Sequence, residues 1–410
     1  MKLELSPPSN TRLRASVAIT GSKSESNRLL LLQALYPNIH IKNLSNADDA
    51  RVMEKGLKQI RGTIDIHHAG TAMRFLTAFF ATQEGREVTL TGSKRMKERP
   101  IQILVEALQY LGAEISYKES PGFPPLFIRG KKIKAGEVEL PAHVSSQYIS
   151  ALLLVAGKLE NGLELELIGE ITSIPYIKMT LGLLARLGIH SAFSGQIIRV
   201  WPTPEVANKT LEVESDWSSA SYFYSIVALS AVGSEVTLTA YREDSLQGDS
   251  VLKEIYKDFG VETQFRGGGI RLRKISDTLP AKLQYHLVDA PDIAQTLAVT
   301  CFGLGIGCHL TGLHTLKIKE TDRLLAMETE LGKLGARIQT TDRTLTLEAG
   351  GNFHKGVSID TYNDHRMAMA FAPIALKTEL VINDAGVVSK SYPDFWRDLE
   401  SLGILSRVVG

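Results

Sequence analysis

Residues 319–338 have the sequence KETDRLLAMETELGKLGARI, which contains both patterns that organise this chain. The mixed-charge run from Lys319 to Arg323 comes first, and the apolar residues after it recur with the period of a helix. Gly335 ends that stripe, because glycine adopts the left-handed conformation that terminates helices. The i, i+4 spacing predicts Lys319 and Arg323 on one face of a first helical turn, beside Glu320. Taken alone, the run is better explained as an ordinary helix start with solvated cations.

The pattern of a helix that ends at glycine and is followed by a strand recurs along the chain. The glycines are Gly112, Gly188, Gly260, Gly335 and Gly403, at spacings of 76, 72, 75 and 68 residues. A further copy would end near Gly62, only 50 residues before Gly112, so the first repeat is present but shortened. Each repeat also has an earlier helix that starts with a small or capping residue. These starts lie near Ser22, Gly70, Ser145, Asp216, Asp292 and Asp364.

The starts of the second helices form a matching series. They lie near Asp48, Pro100, Pro175, Asp249, Glu320 and Pro393, where proline is tolerated at the first helical position. Segments of alternating polarity between the helices predict strands, at residues 88–91, 163–168, 235–239 and 344–347. We therefore predict an α/β protein of six repeats and twelve helices, with three repeats in each of two lobes and a boundary at residues 212–216.

Composition excludes several classes of protein. With 46 Lys and Arg against 45 Asp and Glu, the net charge of +1 argues against a nucleic-acid-binding or membrane-surface protein. Residues 1–10 do not resemble a signal peptide, and the uncharged run 293–316 is interrupted by polar residues and glycines, so we expect a cytoplasmic protein in which this run is buried. Cys301 and Cys308 lack the spacing of metal ligands and are expected to be buried thiols. Residues 267–269 resemble a hairpin turn, not a P-loop.

Basic residues recur near the predicted helix starts. Helix N-termini present unpaired amide hydrogens and a partial positive charge, which favour anions. Arg can bind carboxylate or phosphate through two parallel hydrogen bonds, and Lys adds a point charge. Eight cations hold such positions: Lys23, Arg28, Arg74, Arg99, Lys319, Arg323, Arg366 and Lys390. One surface cation on a capped helix would need no explanation, but eight in repeated positions predict a site for small, highly anionic ligands.

Two carboxylates accompany these cations, Asp292 and Glu320. A carboxylate next to an ammonium group in a site shielded from water can hold or transfer a proton, because desolvation and neighbouring charges shift both pKa values. Asp292 also suits the N-cap of a helix, and the two roles are compatible. His365, which lies between Asp364 and Arg366, is a further candidate, although an isolated histidine is more often structural.

Six short motifs together resemble one known family. They are GSKSESNR at residues 21–28, AGTAMR at 69–74, RMKERP at 95–100, SSQ at 145–147, KETDR at 319–323 and NDHRMAM at 363–369. In this order they resemble the 5-enolpyruvylshikimate-3-phosphate synthase family over essentially the whole chain. The resemblance implies transfer of the enolpyruvyl group of phosphoenolpyruvate to the 5-hydroxyl of shikimate 3-phosphate, with release of phosphate from a tetrahedral intermediate.

The resemblance also implies a fold and a set of partners. The family folds as a two-lobed inverse α/β barrel in which each lobe has three βαβαββ repeats. We therefore expect one lobe at residues 14–213 and the other at residues 1–13 with 214–410, with both substrates bound in the cleft between them. The reaction requires no metal and no organic cofactor. The expected partners are the two small substrates alone, and we expect a monomer that binds neither nucleic acid nor membrane.

Individual roles follow when the motifs of the family are matched to this chain. The resemblance implies catalytic roles for Lys23, Asp292, Lys319 and Glu320, with Glu320 in proton transfer at the enol methylene. It implies that phosphoenolpyruvate is bound by Lys23, Gly70, Arg99, Gln147, Arg323, His365, Arg366 and Lys390. It implies that shikimate 3-phosphate is bound by Lys23, Ser24, Arg28, Ser145, Ser146, Gln147, Ser173, Tyr176, Asp292, Thr315 and Lys319. Asp322 remains explained by helix capping.

Four features depart from the pattern of the family. His68 stands where the family usually has Asn, Phe75 where Pro is common, and Thr315 where many members have Asn. These substitutions bear on the surroundings of Gly70 and on one contact to shikimate. The shortened first repeat predicts that a strand or loop between residues 60 and 68 is trimmed.

Two related enzymes and one binding function remain as alternatives. UDP-N-acetylglucosamine enolpyruvyl transferase resembles this fold but usually has a reactive cysteine near the Arg99 region, whereas Cys301 and Cys308 are distant in sequence. RNA 3′-phosphate cyclase has a related repeat, but the neutral charge balance and the SSQ and KETDR motifs argue against it. The third alternative is a non-catalytic protein that binds small anionic metabolites, which the presence of the full catalytic set disfavours.

Overall fold

A computed structural model describes residues 1–134, 136–142, 145–171 and 174–409. The chain divides into two compact lobes. The first lobe is Gly21–Val213, and the second lobe combines Met1–Thr20 with Glu214–Gly410. Residues 14–20, which we expected in the first lobe, lie in the second, because Arg14–Val17 pairs in parallel with Glu235–Thr239.

The strands are numbered along the described chain. Those up to the lobe boundary are β1 (Lys2–Ser6), β2 (Arg14–Val17), β3 (Ile39–Lys42), β4 (Arg61–Asp65), β5 (Glu87–Thr91), β6 (Glu114–Tyr117), β7 (Leu126–Arg129), β8 (Glu137–Pro141), β9 (Leu163–Ile168), β10 (Ser191–Ser194), β11 (Ile197–Val200) and β12 (Lys209–Glu212). Those after it are β13 (Glu235–Thr239), β14 (Val261–Arg266), β15 (Gly269–Lys274), β16 (Lys282–His286), β17 (Gly307–Thr311), β18 (Ile338–Thr340), β19 (Leu345–Leu347), β20 (Val357–Ile359), β21 (Leu380–Ile382) and β22 (Leu405–Val409). The four predicted strands coincide with β5, β9, β13 and β19 to within one residue.

The helices are numbered in the same way. The α-helices are α1 (Lys23–Leu35), α2 (Asp48–Leu57), α3 (Gly70–Ala81), α4 (Lys94–Lys97), α5 (Gln102–Tyr110), α6 (Ser146–Ala156), α7 (Ile174–Arg186), α8 (Trp217–Leu229), α9 (Leu252–Ile255), α10 (Ala294–Leu304), α11 (Arg323–Lys333), α12 (His365–Phe371) and α13 (Phe395–Glu400). Short 3-10 helices are Gly248–Val251, Tyr256–Phe259, Pro291–Ile293, His314–Ile318, Ala372–Leu376 and Ala385–Lys390. The short helix α4 was not predicted, and α9 is a single turn flanked by 3-10 helices.

One strand pattern recurs in three of the sheets. In the first lobe, β4 and β5 are parallel, β7 pairs with β5 in the antiparallel direction, and β6 forms a hairpin with β7. The strand order is therefore β4-β5-β7-β6. The sheets β8-β9-β11-β10 and β16-β17-β19-β18 have the same arrangement. In each of these sheets a helix follows the first strand, another helix follows the second strand, and a hairpin ends the unit. The predicted βαβαββ repeat is therefore confirmed for these three sheets.

Strands from distant parts of the chain complete the other three sheets. The shortened first repeat has only β3 and β12, which are parallel. In the second lobe, β2 pairs in parallel with β13 at the edge of the sheet β14-β15-β13-β2. β1 lies between β21 and β22 and is antiparallel to both. The N-terminal segment therefore supplies one strand to each of two sheets.

The missing part of the first repeat is the antiparallel hairpin. Helix α2 ends at Leu57, and β4, the first strand of the next repeat, begins at Arg61. The chain is therefore trimmed at residues 58–60, slightly earlier than we predicted. Gly62 lies within β4, so the prediction that it ends a helix was wrong, because the hairpin that would separate helix from strand is absent.

Glycine ends the second helices of the other repeats as predicted. The φ angles are 102° at Gly112, 79° at Gly188, 69° at Gly260, 99° at Gly335 and 85° at Gly403. These values lie in the left-handed region that favours glycine. The turn between β14 and β15 is also confirmed, since Gly267 and Gly268 have φ angles of 59° and 75° between two antiparallel strands.

The helices form the interior of each lobe. The helices α3, α6, α8 and α10 are buried on almost every side, and for this reason their sequences are apolar all round. In the first lobe α1 contacts α3 and α6, which also contact each other, and in the second lobe α10 contacts α8 and α12. The outer strands β5 and β9 alternate buried and less buried residues. Cys301 and Cys308 are buried free thiols, as predicted.

Candidate active site

Arg28 is the centre of a buried polar group in the first lobe. It lies in the second turn of α1 and is 3% exposed. Its Nε donates to Thr180 Oγ1 at 2.8 Å, and its Nη2 donates to Ser150 Oγ at 3.0 Å. Its Nη1 donates to the carbonyl oxygen of Ser24 at 2.8 Å. Three helices, α1, α6 and α7, therefore hold this guanidinium in one orientation.

Two aromatic rings flank the same guanidinium. Its carbon lies 5.4 Å from the ring centre of Phe75 and 5.9 Å from that of Tyr176. The carbonyl oxygen of Tyr176 also accepts from Arg28 Nη2 at 3.4 Å. Burial lowers the pKa of Arg28 to about 10, so the group remains charged at neutral pH. Phe75, one of the departures from the family, is thus part of this group.

The starts of α3 and α6 meet beside it. Ser145 caps α6, because its Oγ accepts from the amide of Gln147 at 3.3 Å, and Ser146 is buried. The side chain of Gln147 donates from Nε2 to Thr71 Oγ1 at 3.3 Å, which joins the two helix starts. The structure therefore brings the SSQ and AGTAMR motifs together. Ser173, a predicted ligand of shikimate 3-phosphate, lies outside the described residues.

Arg99 lies against the start of α3. A Cβ atom at Gly70 would come within 2.6 Å of Arg99 Nη1, so glycine leaves the room that this guanidinium occupies. Arg74, one turn into α3, is buried and donates to the carbonyl oxygens of Gly70 and Pro100, both at 3.1 Å. Burial, and then the nearby Arg99, lowers the pKa of Arg74 to about 10. Arg74 thus holds the backbone on which Gly70 and Arg99 depend.

Lys23 is the first residue of α1 and forms an ion pair with Asp49 of α2. Its Nζ lies 3.4 Å from Asp49 Oδ2, and the two side chains are 21% and 15% exposed. The ammonium group is therefore oriented by a carboxylate while part of it stays open to a ligand. His68, which precedes the N-cap of α3, has its Nδ1 3.0 Å from Ser93 Oγ.

Arg323 is the centre of a second polar group, in the second lobe. Its side chain is 2% exposed and contacts three carboxylates, which we call the carboxylate cluster. Nη1 donates to Asp292 Oδ1 at 2.8 Å, Nη2 to Glu320 Oε2 at 2.8 Å, and Nε to Asp364 Oδ2 at 2.6 Å. Burial alone would lower the pKa of Arg323, but the three carboxylates outweigh it and hold the pKa above its ordinary value. The guanidinium therefore stays charged and fixes the carboxylates relative to one another.

Asp292 is the carboxylate on which three cations converge. Besides Arg323, Lys319 places its Nζ 3.8 Å from Oδ1, and Arg366 places its Nη2 3.3 Å from Oδ2. Arg366 Nη1 also donates to the carbonyl oxygen of Asp292 at 3.0 Å. The prediction that Asp292 caps a helix was wrong. It lies inside the 3-10 helix Pro291–Ile293, whose N-cap is Ala290, and its carboxylate lies beside these three cations.

The run from Lys319 to Arg323 does not form a helical turn. The 3-10 helix His314–Ile318 precedes it, and α11 begins only at Arg323. Asp322 is the N-cap, as predicted, because its Oδ1 accepts from a backbone amide of the first turn at 3.2 Å. The side chains of Lys319 and Glu320 are 31% and 32% exposed, whereas Arg323 is buried. An ammonium group and a carboxylate are therefore accessible beside a fixed cationic centre, an arrangement that can bind an anion and transfer a proton.

Three other predicted residues lie in the second lobe. His365 Nδ1 is 3.8 Å from Asp364 Oδ1, and its side chain is 4% exposed. Lys390 Nζ donates to the carbonyl and side-chain oxygens of Asn363, at 2.6 and 2.8 Å, which places it beside the NDHRMAM motif. Within the described chain, the buried Thr315 Oγ1 has no hydrogen-bond partner.

Several members of these groups were not predicted from the sequence. Asp364 was recognised only as a helix start, although its carboxylate also pairs with Arg323. Asp49 and Asp249 lie at the starts of second helices, the position that Glu320 holds in the fifth repeat, so the repeat itself was a usable signal. Ser218 connects Asp249 to Arg366 and has no comparable signal in the sequence.

The described residues contain neither a candidate metal-binding cluster nor a candidate membrane-spanning helix. Across the ranges given above, no group of three or more His, Cys, Asp and Glu could hold a metal ion. In the same part of the chain, no helix is long and apolar enough to cross a membrane.

Comparisons with known proteins agree with the motifs. The family model described as EPSP synthase (3-phosphoshikimate 1-carboxyvinyltransferase) matches residues 62–399. A Bacteroides fragilis protein named 3-phosphoshikimate 1-carboxyvinyltransferase is 46% identical over 408 residues, which cover 98% of each chain. A Haemophilus influenzae protein of the same name is 35% identical over 438 residues, covering 98% of this chain and 99% of the relative.

Solved structures show the same fold. EPSP synthase from Acinetobacter baumannii superposes with a TM-score of 0.82 at 22% identity over the full length of both chains. The enolpyruvyl transferase NikO from Streptomyces tendae superposes with a TM-score of 0.76 at 14% identity, over 99% of this chain and 98% of that one. The family model and the sequence relatives, on a fold shared with these structures, show that the chain belongs to the EPSP synthase family.

Proposed function

We propose that this chain transfers the enolpyruvyl group of phosphoenolpyruvate to the 5-hydroxyl of shikimate 3-phosphate and releases phosphate. Family membership and the names of the relatives support the reaction. The observation that carries the assignment to particular residues is the carboxylate cluster. There Asp292 meets three cations, and a partly exposed Glu320 lies beside Arg323, so anion binding and proton transfer are combined in one group.

Shikimate 3-phosphate binds chiefly at the group around Arg28. Arginine has five N–H donors, and four of those of Arg28 donate to other described residues, namely Thr180, Ser150, Ser24 and Tyr176. Within the described part of the chain, this leaves one donor on Nη1 for an anionic ligand. The helix start of α6 adds amide hydrogens for the phosphate. The proposed ligands are Lys23, Ser24, Arg28, Ser145, Ser146, Gln147, Ser173, Tyr176, Asp292, Thr315 and Lys319.

Phosphoenolpyruvate is proposed to bind cations that lie beside the start of α3 and beside Asp292. Arg99 is close to the Cα of Gly70, and Arg366 is held by contacts with Asp292. Arg forks of this kind suit both the carboxylate and the phosphate of the substrate. The proposed ligands are Lys23, Gly70, Arg99, Gln147, Arg323, His365, Arg366 and Lys390.

The chemistry is addition followed by elimination. Glu320, in its protonated form, gives its proton to the enol methylene carbon, and positive charge develops at the neighbouring carbon. The 5-hydroxyl oxygen attacks that carbon as Asp292, aided by Lys319, accepts the hydroxyl proton, which gives a tetrahedral intermediate. The bond to the phosphate oxygen then breaks, and Asp292 gives the hydroxyl proton to the departing phosphate. The methyl group returns a proton to Glu320, and the double bond re-forms. Carboxylates stabilise the developing cation and the surrounding cations stabilise the departing phosphate.

Phosphate release from purified protein with both substrates tests the proposal. Glu320→Gln should lower turnover by about 100-fold or more, because proton transfer is lost, while phosphoenolpyruvate still binds in calorimetry. Glu348→Gln is the matched control, since the Glu348 side chain is 61% exposed in a surface ion pair with Arg337, and it should retain full activity.

Other outcomes would contradict the proposal. Phosphate release that requires UDP-N-acetylglucosamine in place of shikimate 3-phosphate would assign the chain to the alternative transfer reaction. Binding of both anions without phosphate release would make the chain a non-catalytic binder. Full turnover in Glu320→Gln would remove Glu320 from the mechanism while leaving the overall reaction in place.

A further inference from the structure

Asp249 is a buried carboxylate that none of the proposed roles uses. It lies in the 3-10 helix Gly248–Val251 and is 7% exposed. Its position at the start of the second helix in the fourth repeat corresponds to that of Glu320 in the fifth. Ser218, in the first turn of α8, donates its hydroxyl hydrogen to Asp249 Oδ2.

Ser218 connects Asp249 to Arg366. Arg366 Nη2 donates to Ser218 Oγ at 3.2 Å, and the same nitrogen lies 3.3 Å from Asp292 Oδ2. A hydroxyl group has one hydrogen and two lone pairs. Because Ser218 gives its hydrogen to Asp249, its oxygen presents a lone pair to Arg366. Asp249 thus orients the hydroxyl, and the hydroxyl in turn helps to orient the guanidinium.

We propose that Asp249 is a positioning residue for phosphoenolpyruvate, which acts through Ser218 to hold the Arg366 guanidinium in the orientation that binds the anion. The inference rests on the proposed function, in which Arg366 is a ligand of phosphoenolpyruvate. Without an acceptor at position 249, the Ser218 hydroxyl is free to rotate its hydrogen toward Arg366, and the donor of Arg366 loses its fixed partner. The affinity for phosphoenolpyruvate should fall while that for shikimate 3-phosphate is retained, because the contacts around Arg28 in the first lobe do not involve Asp249.

Four variants of the full chain, assayed by phosphate release, test this. Ser218→Ala and Asp249→Ala should each raise the KM for phosphoenolpyruvate about threefold to tenfold, the effect of one hydrogen bond, and leave the KM for shikimate 3-phosphate unchanged. The double variant should be no worse than either single variant, because both remove the same connection. Asp249→Asn keeps an oxygen that accepts from Ser218 and should restore the KM for phosphoenolpyruvate to near the wild-type value.

Asp244→Asn is the matched control, because Asp244 is an exposed carboxylate five residues earlier. It should leave both KM values unchanged. Wild-type KM values in both alanine variants would overturn the inference, and so would additive effects in the double variant or an equal rise in both KM values. Activity of the wild-type protein tests the proposed function separately. An active wild type with unaffected alanine variants overturns the inference alone, and a wild type that releases no phosphate overturns the proposed function.

Discussion

Replacing Asp364 by Asn tests whether the carboxylate cluster stabilises the fold as well as serving the chemistry. Asp364 is fully buried, and Arg323, which is 2% exposed, donates to it from Nε at 2.6 Å. Breaking a buried ion pair costs about 3–5 kcal/mol. Arg323 keeps Asp292 and Glu320, and the asparagine oxygen still accepts a hydrogen bond, so we expect a loss at the low end, about 3 kcal/mol.

Asp364→Ala should cost about 1 kcal/mol more than Asp364→Asn. The difference is the N-cap of α12, since Asp364 Oδ1 accepts from the amide of Arg366 at 2.9 Å and alanine cannot replace it. Comparison of the two substitutions therefore separates the charge of Asp364 from its capping hydrogen bond.

Urea denaturation followed by tryptophan fluorescence measures both losses, because Trp217 and Trp396 lie in the second lobe. Asp342→Asn is the control. Asp342 pairs with Lys317 but its side chain is 81% exposed, so the free energy of unfolding should change by less than about 0.5 kcal/mol. A loss below about 1 kcal/mol in Asp364→Asn would refute the argument that this buried pair stabilises the second lobe.

Three further substitutions give separate tests. Burial raises the pKa of Asp249 from 3.8 to about 6, so the folded state holds the proton more tightly and stability falls as pH rises through this interval. Asp249→Asn should abolish that fall in denaturation at pH 4, 5 and 7, and an unchanged pH slope would contradict it. Gly70→Ala brings a Cβ within 2.6 Å of Arg99 and should raise the KM for phosphoenolpyruvate about tenfold. An equal rise in the KM values of both substrates would contradict this expectation. Phe75→Leu removes a ring facing Arg28 and should weaken the affinity for shikimate 3-phosphate about fivefold, as measured by calorimetry. An unaltered affinity would show that the contact between Phe75 and Arg28 does not contribute to binding.

Local patterns predicted the repeats but not every strand partner. Glycines such as Gly260 and Gly335 mark helix ends because their backbone angles are a local requirement, so the repeat could be read from spacing. The pairing of β2 with β13 is not local, and no pattern within residues 14–17 shows which strand lies beside them. Those residues were therefore placed in the wrong lobe, and the shortened first repeat was trimmed at a slightly different position.

The candidate site likewise combines residues that local motifs predicted with contacts that depend on the whole fold. The motifs identified Arg28 and Arg323, but they did not show that the structure buries both. Arg323 and its partner Asp364 are 41 residues apart, and Asp292 is 31 residues from Arg323, so only the folded chain shows that one cation binds both carboxylates. In the KETDR run, the i, i+4 spacing predicted a helical turn that begins at Lys319, whereas capping by Asp322 predicted a helix that begins at Arg323. Capping decided the outcome, because Asp322 satisfies the amide of the first turn.

The two N-terminal strands determine the order in which the protein can fold during synthesis. The first lobe is one continuous segment, Gly21–Val213, which completes its own sheets once β12 has been made. β2 must wait for β13, and β1 must wait for β21 and β22 near the other end of the chain. Since domains fold as units during translation, the lobe that contains Arg28 is ready first. β1 therefore leaves the ribosome long before its partners, and it remains an unpaired strand, open to aggregation, until β21 and β22 have been made.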